Sequence, residues 1–287
     1  MNGQYTYRYK QENALKYDLS TKTSVETWTE ISADGWGVQL TDRTSTVPVT
    51  SEVCTYINDK PVVSMSNMFY NSPATIINVS NFDTSNVTNM SSMFYNTKAS
   101  TLDVSNFDTS NVTGMSGMFS KSSATTLDIG NFDTSKVTNM SNMFTNSQAT
   151  TLDVSNFDTS KVTSMSYMFY GSKATTLDVS NFDTSNVTNM SGMFYNTKAS
   201  TLDVSSFDTS NVAKMDGMFY NCNALTTIYV GNKFTTDKVT SSSNMFNLST
   251  KLVGGAGTVY NSSYVDKTYA RVDGGTSSPG YFTLKTN

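Results

Sequence analysis

The chain has 287 residues, a net charge of −4 and a pI of about 4.8. No basic cluster appears, so a phosphate backbone has no electrostatic partner and nucleic-acid binding is excluded. Histidine is absent altogether, which removes Ser-His-Asp and Cys-His nucleophile pairs and histidine-ligated metals, leaving only carboxylates, lysine or tyrosine for any catalysis.

Residues 1–60 are not repetitive and hold both tryptophans, Trp28 and Trp36. Tyr5-Thr6-Tyr7-Arg8-Tyr9 alternates like a strand, and Asp34-Gly35-Trp36-Gly37 reads as a turn. This segment is expected to be an N-terminal cap or small mixed domain, because the ends of a stacked repeat need atypical units to cover the core. Met1-Asn2-Gly3-Gln4-Tyr5 shows no basic-then-apolar signal segment. No run is long enough to cross a bilayer, so no membrane insertion is expected.

From 61 to 246 a 25-residue unit recurs. Leu102, Leu127, Leu152, Leu177 and Leu202 fall in one column, and Phe82, Phe107, Phe132, Phe157, Phe182 and Phe207 in another. Such a period is the mark of a solenoid, in which each unit is too small to bury its own apolar face and must stack on its neighbours. Apart from Met1, every methionine lies in one of two columns, Met65 to Met215 and Met68 to Met245. Methionine at fixed positions reads as core filler.

Within a unit, Leu102 and Val104 alternate with Thr101, Asp103 and Ser105, which predicts a short strand with Leu and Val inward. Val112, Met115, Met118 and Phe119 follow at helical or 3₁₀ spacing. The expected fold is thus a repeat solenoid of leucine-rich-repeat type. Each coil would carry one short parallel strand and one short helical or 3₁₀ segment, with caps at both ends. Asp108-Thr109-Ser110 suits the corner between the two sides. Asn106 suits the preceding bend, or an inward column of asparagines bonded to the backbone of the next coil, broken once by Ser206. The glycine-rich stretch 247–287 is expected to be a C-terminal cap ending in a strand at Tyr281-Phe282-Thr283-Leu284. Cys54 and Cys222 lie about seven coils apart, roughly 30 Å at a strand spacing of about 4.8 Å. That is too far for a disulfide, so two free, buried thiols are expected.

The unit L-D-V-S-N-F-D-T-S-N-V-T-N-M-S-x-M-F-Y resembles the repeat of the BspA-like leucine-rich-repeat surface proteins of bacteria, mycoplasmas, some protists and phage tails. Tyr269-Ala270-Arg271-Val272-Asp273-Gly274-Gly275 and Pro279-Gly280-Tyr281-Phe282-Thr283 are similar to that family's closing segment. Cys222, after Phe219-Tyr220-Asn221, is similar to a cysteine often found at that point. The resemblance implies a solenoid displayed on a cell or particle surface for adhesion, and it carries over no catalytic residue.

Two surface columns are the candidate ligand-binding positions. Asp103, Asp128, Asp153, Asp178 and Asp203 are expected to point outward from adjacent strands, roughly 5 Å apart. They read either as a track for cations or cationic ligands, or as a solvated face that blocks aggregation of an exposed sheet. Tyr95, Tyr170, Tyr195 and Tyr220, with Tyr70 before them, form the second column, interrupted by Ser120 and Thr145. Part-exposed tyrosines stack on sugars or build protein interfaces; alternatively each ring packs over the next. A glycosidase needs two acids flanking a cleft, whereas a regular stack offers a row, so no enzyme, metal or cofactor is expected. The partners expected are a host or cell-surface protein or glycan, or further copies of the chain. Two settings fit: an adhesive module that is extracellular or at the cell surface, or a structural or receptor-binding part of a phage tail fibre, virion or surface filament.

Overall fold

The computed structural model describes residues 4–9, 15–18, 23–27 and 35–285. Trp28 and Asp34 lie outside them.

The chain opens with a sheet. Strands β1 (Tyr5–Tyr9), β2 (Leu15–Asp18), β3 (Thr23–Thr27), β4 (Trp36–Leu40), β5 (Tyr56–Ile57) and β6 (Lys60–Ser64) form a six-stranded sheet in the order β3-β2-β1-β4-β6-β5. The alternating tyrosines of β1 are buried and pair antiparallel with β4, Tyr7 opposite Val38. Trp36 and Gly37, expected in a turn, begin β4 instead: the Trp36 ring is buried, stands 5.1 Å from Tyr9 and donates its indole N–H to the Ile57 carbonyl. A large apolar ring with one donor gains more from a paired site in the core than from a turn at the surface.

β6 joins this sheet to the repeats. It pairs parallel with β4, Gly37 opposite Ser64, and Ser64 pairs in turn with Asn89. The same parallel bridge then recurs from Asn89 to Gly114, Asn139, Ser164, Asn189, Lys214 and Ser241. One backbone ladder thus runs from the N-terminal sheet through every unit. Alternate N–H groups supply it: Met65 donates to Asn89, Asn67 to Ser91, Phe69 to Met93 and Asn71 to Tyr95, at 2.8–2.9 Å. The N–H groups between them close three-residue turns, Met68 to Met65, Tyr70 to Asn67 and Ser72 to Phe69.

The ladder explains why the segment read as helical is a string of tight turns. The spacing of Val112, Met115, Met118 and Phe119 is compatible with three-residue hydrogen-bonded turns, but two residues in each unit have positive φ. One column holds Asn67, Ser92, Gly117, Asn142, Tyr167, Gly192, Gly217 and Asn244; the other holds Asn71, Asn96, Lys121, Asn146, Gly171, Asn196, Asn221 and Leu248. Left-handed residues end a helix. Among the described residues, helix is confined to two 3₁₀ turns, Lys267–Tyr269 and Gly275–Ser277.

On the other side of the unit, regular strand appears only near the C-terminus. β7 (Thr201–Val204), β8 (Thr227–Val230) and β9 (Phe282–Leu284) pair parallel in that order. Upstream, the equivalent positions make only isolated parallel bridges, Ile77 to Val49 and Leu102 to Leu127. Ile228, Tyr229 and Val230 favour extended backbone, and β9 covers their outer edge.

Side chains of equivalent residues lie over one another. Phe69, Phe94, Phe119, Phe144, Phe169, Phe194, Phe219 and Phe246 form an unbroken ring stack, with centroids 5.3–5.9 Å apart and planes within 12° of parallel. The Leu, Val and Met columns are all buried, from Leu102 and Val104 through Met115 and Met118. Buried threonines bind one unit to the next, Thr109 donating to the Asp133 carbonyl and Thr134 to that of Asp158. The asparagine column does bond across units, Asn131 to Ser105 O and Asn156 to Gly130 O, but from the exposed rim rather than from inside.

The last segment closes the stack. Phe282 packs edge-on against Phe219 and Phe246, and Tyr281 is fully buried against Phe246. Both cysteines are free. Cys222 is buried and its thiol bonds to the Phe194 carbonyl, while Cys54 is only half-buried, beside Tyr7, whose hydroxyl takes the Cys54 N–H.

Candidate functional site

The aspartate column lies on the rim, each residue except Asp128 two positions before a serine. Asp103 accepts the Ser105 N–H and hydroxyl, at 3.2 and 2.6 Å, and Asp153 and Asp178 treat Ser155 and Ser180 the same way. This is the turn that short polar side chains make with the backbone two residues on. The serine hydroxyl, and then its N–H, hold the carboxyls of Asp103 and Asp153 below the usual range. Asp128 has Gly130 at the serine position and so lacks the hydroxyl partner. Asp203 is half-buried. Burial would raise its pKa, but the Lys285 ammonium and Ser205 outweigh it and lower it. Most of these carboxylates therefore already hold corners, and among the described residues no three acidic or thiol groups lie close enough together to hold a metal ion.

The tyrosine column is built differently. Tyr70, Tyr95, Tyr170, Tyr195 and Tyr220 follow the buried phenylalanine by one residue, so each ring leaves the core and stands half-exposed at the edge of its unit. Tyr70 stacks on Tyr95 at 4.6 Å, Tyr170 on Tyr195 at 4.4 Å and Tyr195 on Tyr220 at 4.5 Å. Burial between neighbouring rings pushes the Tyr195 phenol up. The rings thus pack over one another, as one of the two sequence expectations has it; they remain part-exposed, while Lys121 stands over Tyr95 and Tyr167 packs edge-on at Tyr170. No hydrogen bond or ring contact joins the tyrosines to the aspartate column among the described residues.

Ser120 and Thr145 divide the column into a pair and a triplet. At the division a cleft of about 360 Å³ opens, walled by Tyr95 and Lys121 and floored by serines. The ammonium of Lys121 stands over the Tyr95 ring, 5.3 Å from its centroid. Sequence reading passed over Lys121, although it stands out in the alignment of units: the positions above and below it hold Asn96 and Asn146, residues that tolerate the left-handed backbone.

The stacked units define a repeat protein, and its family follows from the sequence of those units. Residues 63–175 and 146–259 each match the family described as "Mycoplasma protein of unknown function, DUF285", and together they cover more than half of the chain. The chain belongs to this family. No curated protein and no solved structure matches it.

Proposed function

We propose that the protein is a non-enzymatic binding module: a leucine-rich-repeat-like solenoid of the BspA-like kind, displayed extracellularly or at a cell surface, whose tyrosine column engages a glycan or protein receptor. The observation that carries this reading is the run of half-exposed, mutually stacked rings Tyr170, Tyr195 and Tyr220 on the edge of a tightly bonded core. Rings fixed by stacking present amphipathic contact area with little entropy left to lose. The aspartate column contributes less to it, since most of its carboxylates are engaged by their own turns.

The test is retention on a panel of immobilised glycans and extracellular-matrix proteins. Tyr170, Tyr195 and Tyr220 would be replaced together by serine, the residue the chain itself uses at Ser120. The wild-type chain should retain at least one panel member, and the triple variant should lose it by tenfold or more while melting at nearly the same temperature. Equal retention by both proteins would remove the tyrosines from the binding surface.

A further inference from the structure

The break in the tyrosine column is itself a site. Tyr95 and Tyr170 are three units apart, roughly 14 Å at about 4.8 Å per unit, and the two intervening rungs carry only Ser120 and Thr145. Gly117 adds to the opening, since it stands without a side chain in a column that holds Ser92 below it and Asn142 above. The resulting cleft of about 360 Å³ falls at the small end of ligand sites, which span roughly 300–1,000 Å³. It suits a ligand of one or two rings.

The lining chemistry narrows the class. One wall is Tyr95, stacked on Tyr70 on one side and bordering the cleft on the other. Serines, Asn142 and Thr145 line the rest. The Ser141 hydroxyl is shared with Ser164 and Ser166 and that of Thr145 donates to the Tyr167 carbonyl, which leaves the Ser92 and Ser116 hydroxyls and the Asn142 amide, donors and acceptors that match a polyol rather than a flat hydrocarbon. Lys121 is the one charged residue of the lining, in a chain whose net charge is −4. Its ammonium lies over the Tyr95 ring. An exposed contact of that kind is weak, so a carboxylate would draw the ammonium aside into an ion pair and free the ring face.

We propose that this cleft binds a pyranose carrying a carboxylate, with the sugar ring on Tyr95, its hydroxyls on Ser92, Ser116 and Asn142 and its carboxylate on Lys121. The inference rests on the binding function proposed above and names the ligand class for one part of that surface. Hexuronates and sialic acids share the chemistry.

The test is calorimetric titration of the full chain with glucuronate and with N-acetylneuraminate, which separates the two sources, and with glucose and benzoate as probes that lack one half of the chemistry. At least one acidic sugar should bind saturably in the millimolar range, tenfold or more tighter than glucose or benzoate. Lys121→Gln, at an exposed side chain, should weaken that binding about tenfold. Ser120→Tyr, which restores the residue found elsewhere in the column, should abolish it. The inference is overturned if neither acid binds, if glucose or benzoate binds as well, or if both variants bind the acid like the wild type. Failure here with panel ligands still retained through Tyr170, Tyr195 and Tyr220 would remove the cleft and leave the wider surface standing. Acid binding with no panel ligand retained would do the reverse.

Discussion

Asp273 shows how much one side chain holds at the end of the stack. It is 8% exposed, and it accepts the Thr258 hydroxyl at 2.6 Å and the N–H groups of Ala256, Thr258 and Gly275, each at 2.9 Å. Burial would raise its pKa; these bonds outweigh it and lower it to about 2. An unfolded aspartate titrates near pH 3.9, so the folded carboxyl is the stronger acid. Its contribution is complete above about pH 4 and disappears as pH falls towards 2. Asp273→Asn should lose about 2 kcal/mol at pH 7, the scale of leaving buried donors without an acceptor, and should flatten the pH dependence of urea unfolding between pH 4 and 2. An unchanged pH profile would show that Asp273 is not the closing contact. In the repeats, Leu152 is 5% exposed in the column of buried leucines. Leu152→Asp replaces packing with a buried charge and should cost at least 3–5 kcal/mol; a variant with the wild-type melting temperature would place that side chain outside the core.

At the scale of the unit, the two left-handed positions decide the local fold. Asn196 has a φ of 54°. Asn196→Gly should be nearly neutral, while Asn196→Val should cost about 1–2 kcal/mol, the strain of a branched residue in that region; thermal melts of the pair measure the difference. Gly192 has a φ of 62° and the Tyr167 ring lies where its Cβ would go, 2.4 Å away, so Gly192→Ala should destabilise by a similar amount. These positions also show what the sequence could reveal. The inward columns were legible because leucine, valine, methionine and phenylalanine are confined to fixed places. The strand at Tyr5–Tyr9 was legible from alternation, and the closing strand at Phe282–Leu284 from the run Tyr281-Phe282-Thr283-Leu284 at the end of the glycine-rich tail. The turn strip was not, because spacings of three and four residues cannot separate a helix from consecutive three-residue turns. The asparagine and glycine columns at 67, 71 and their equivalents carried the missing information, since they are the residues that enter the left-handed region most readily. The aspartate and tyrosine columns were both visible as patterns. Their different engagement, carboxylates in turns and rings in stacks, came only from the geometry.

Across the whole molecule, one ladder runs from Gly37 through Ser64 to Ser241, and the ends are closed by the N-terminal sheet and by β9. If stability is carried from unit to unit, deleting 151–175 joins Thr150 to Thr176 in register. That deletion should give a folded, shorter protein with a cooperative melt, whereas deleting 151–162 should abolish cooperative melting. Hydrogen bonds to their turns lower the carboxyls of Asp83, Asp133, Asp158, Asp208 and Asp266 as they do those of Asp103 and Asp153. The unfolded chain therefore binds more protons in acid, and stability should decline as pH falls below about 4. The most direct measurement is the distance between spin labels at positions 98 and 198, with Cys54 and Cys222 replaced by serine. Both labelled residues are exposed lysines, four units apart. At a spacing of about 4.8 Å per unit, the stack predicts a narrow distribution whose attachment points lie roughly 19 Å apart; a broad distribution, or one centred beyond about twice that value, would contradict it.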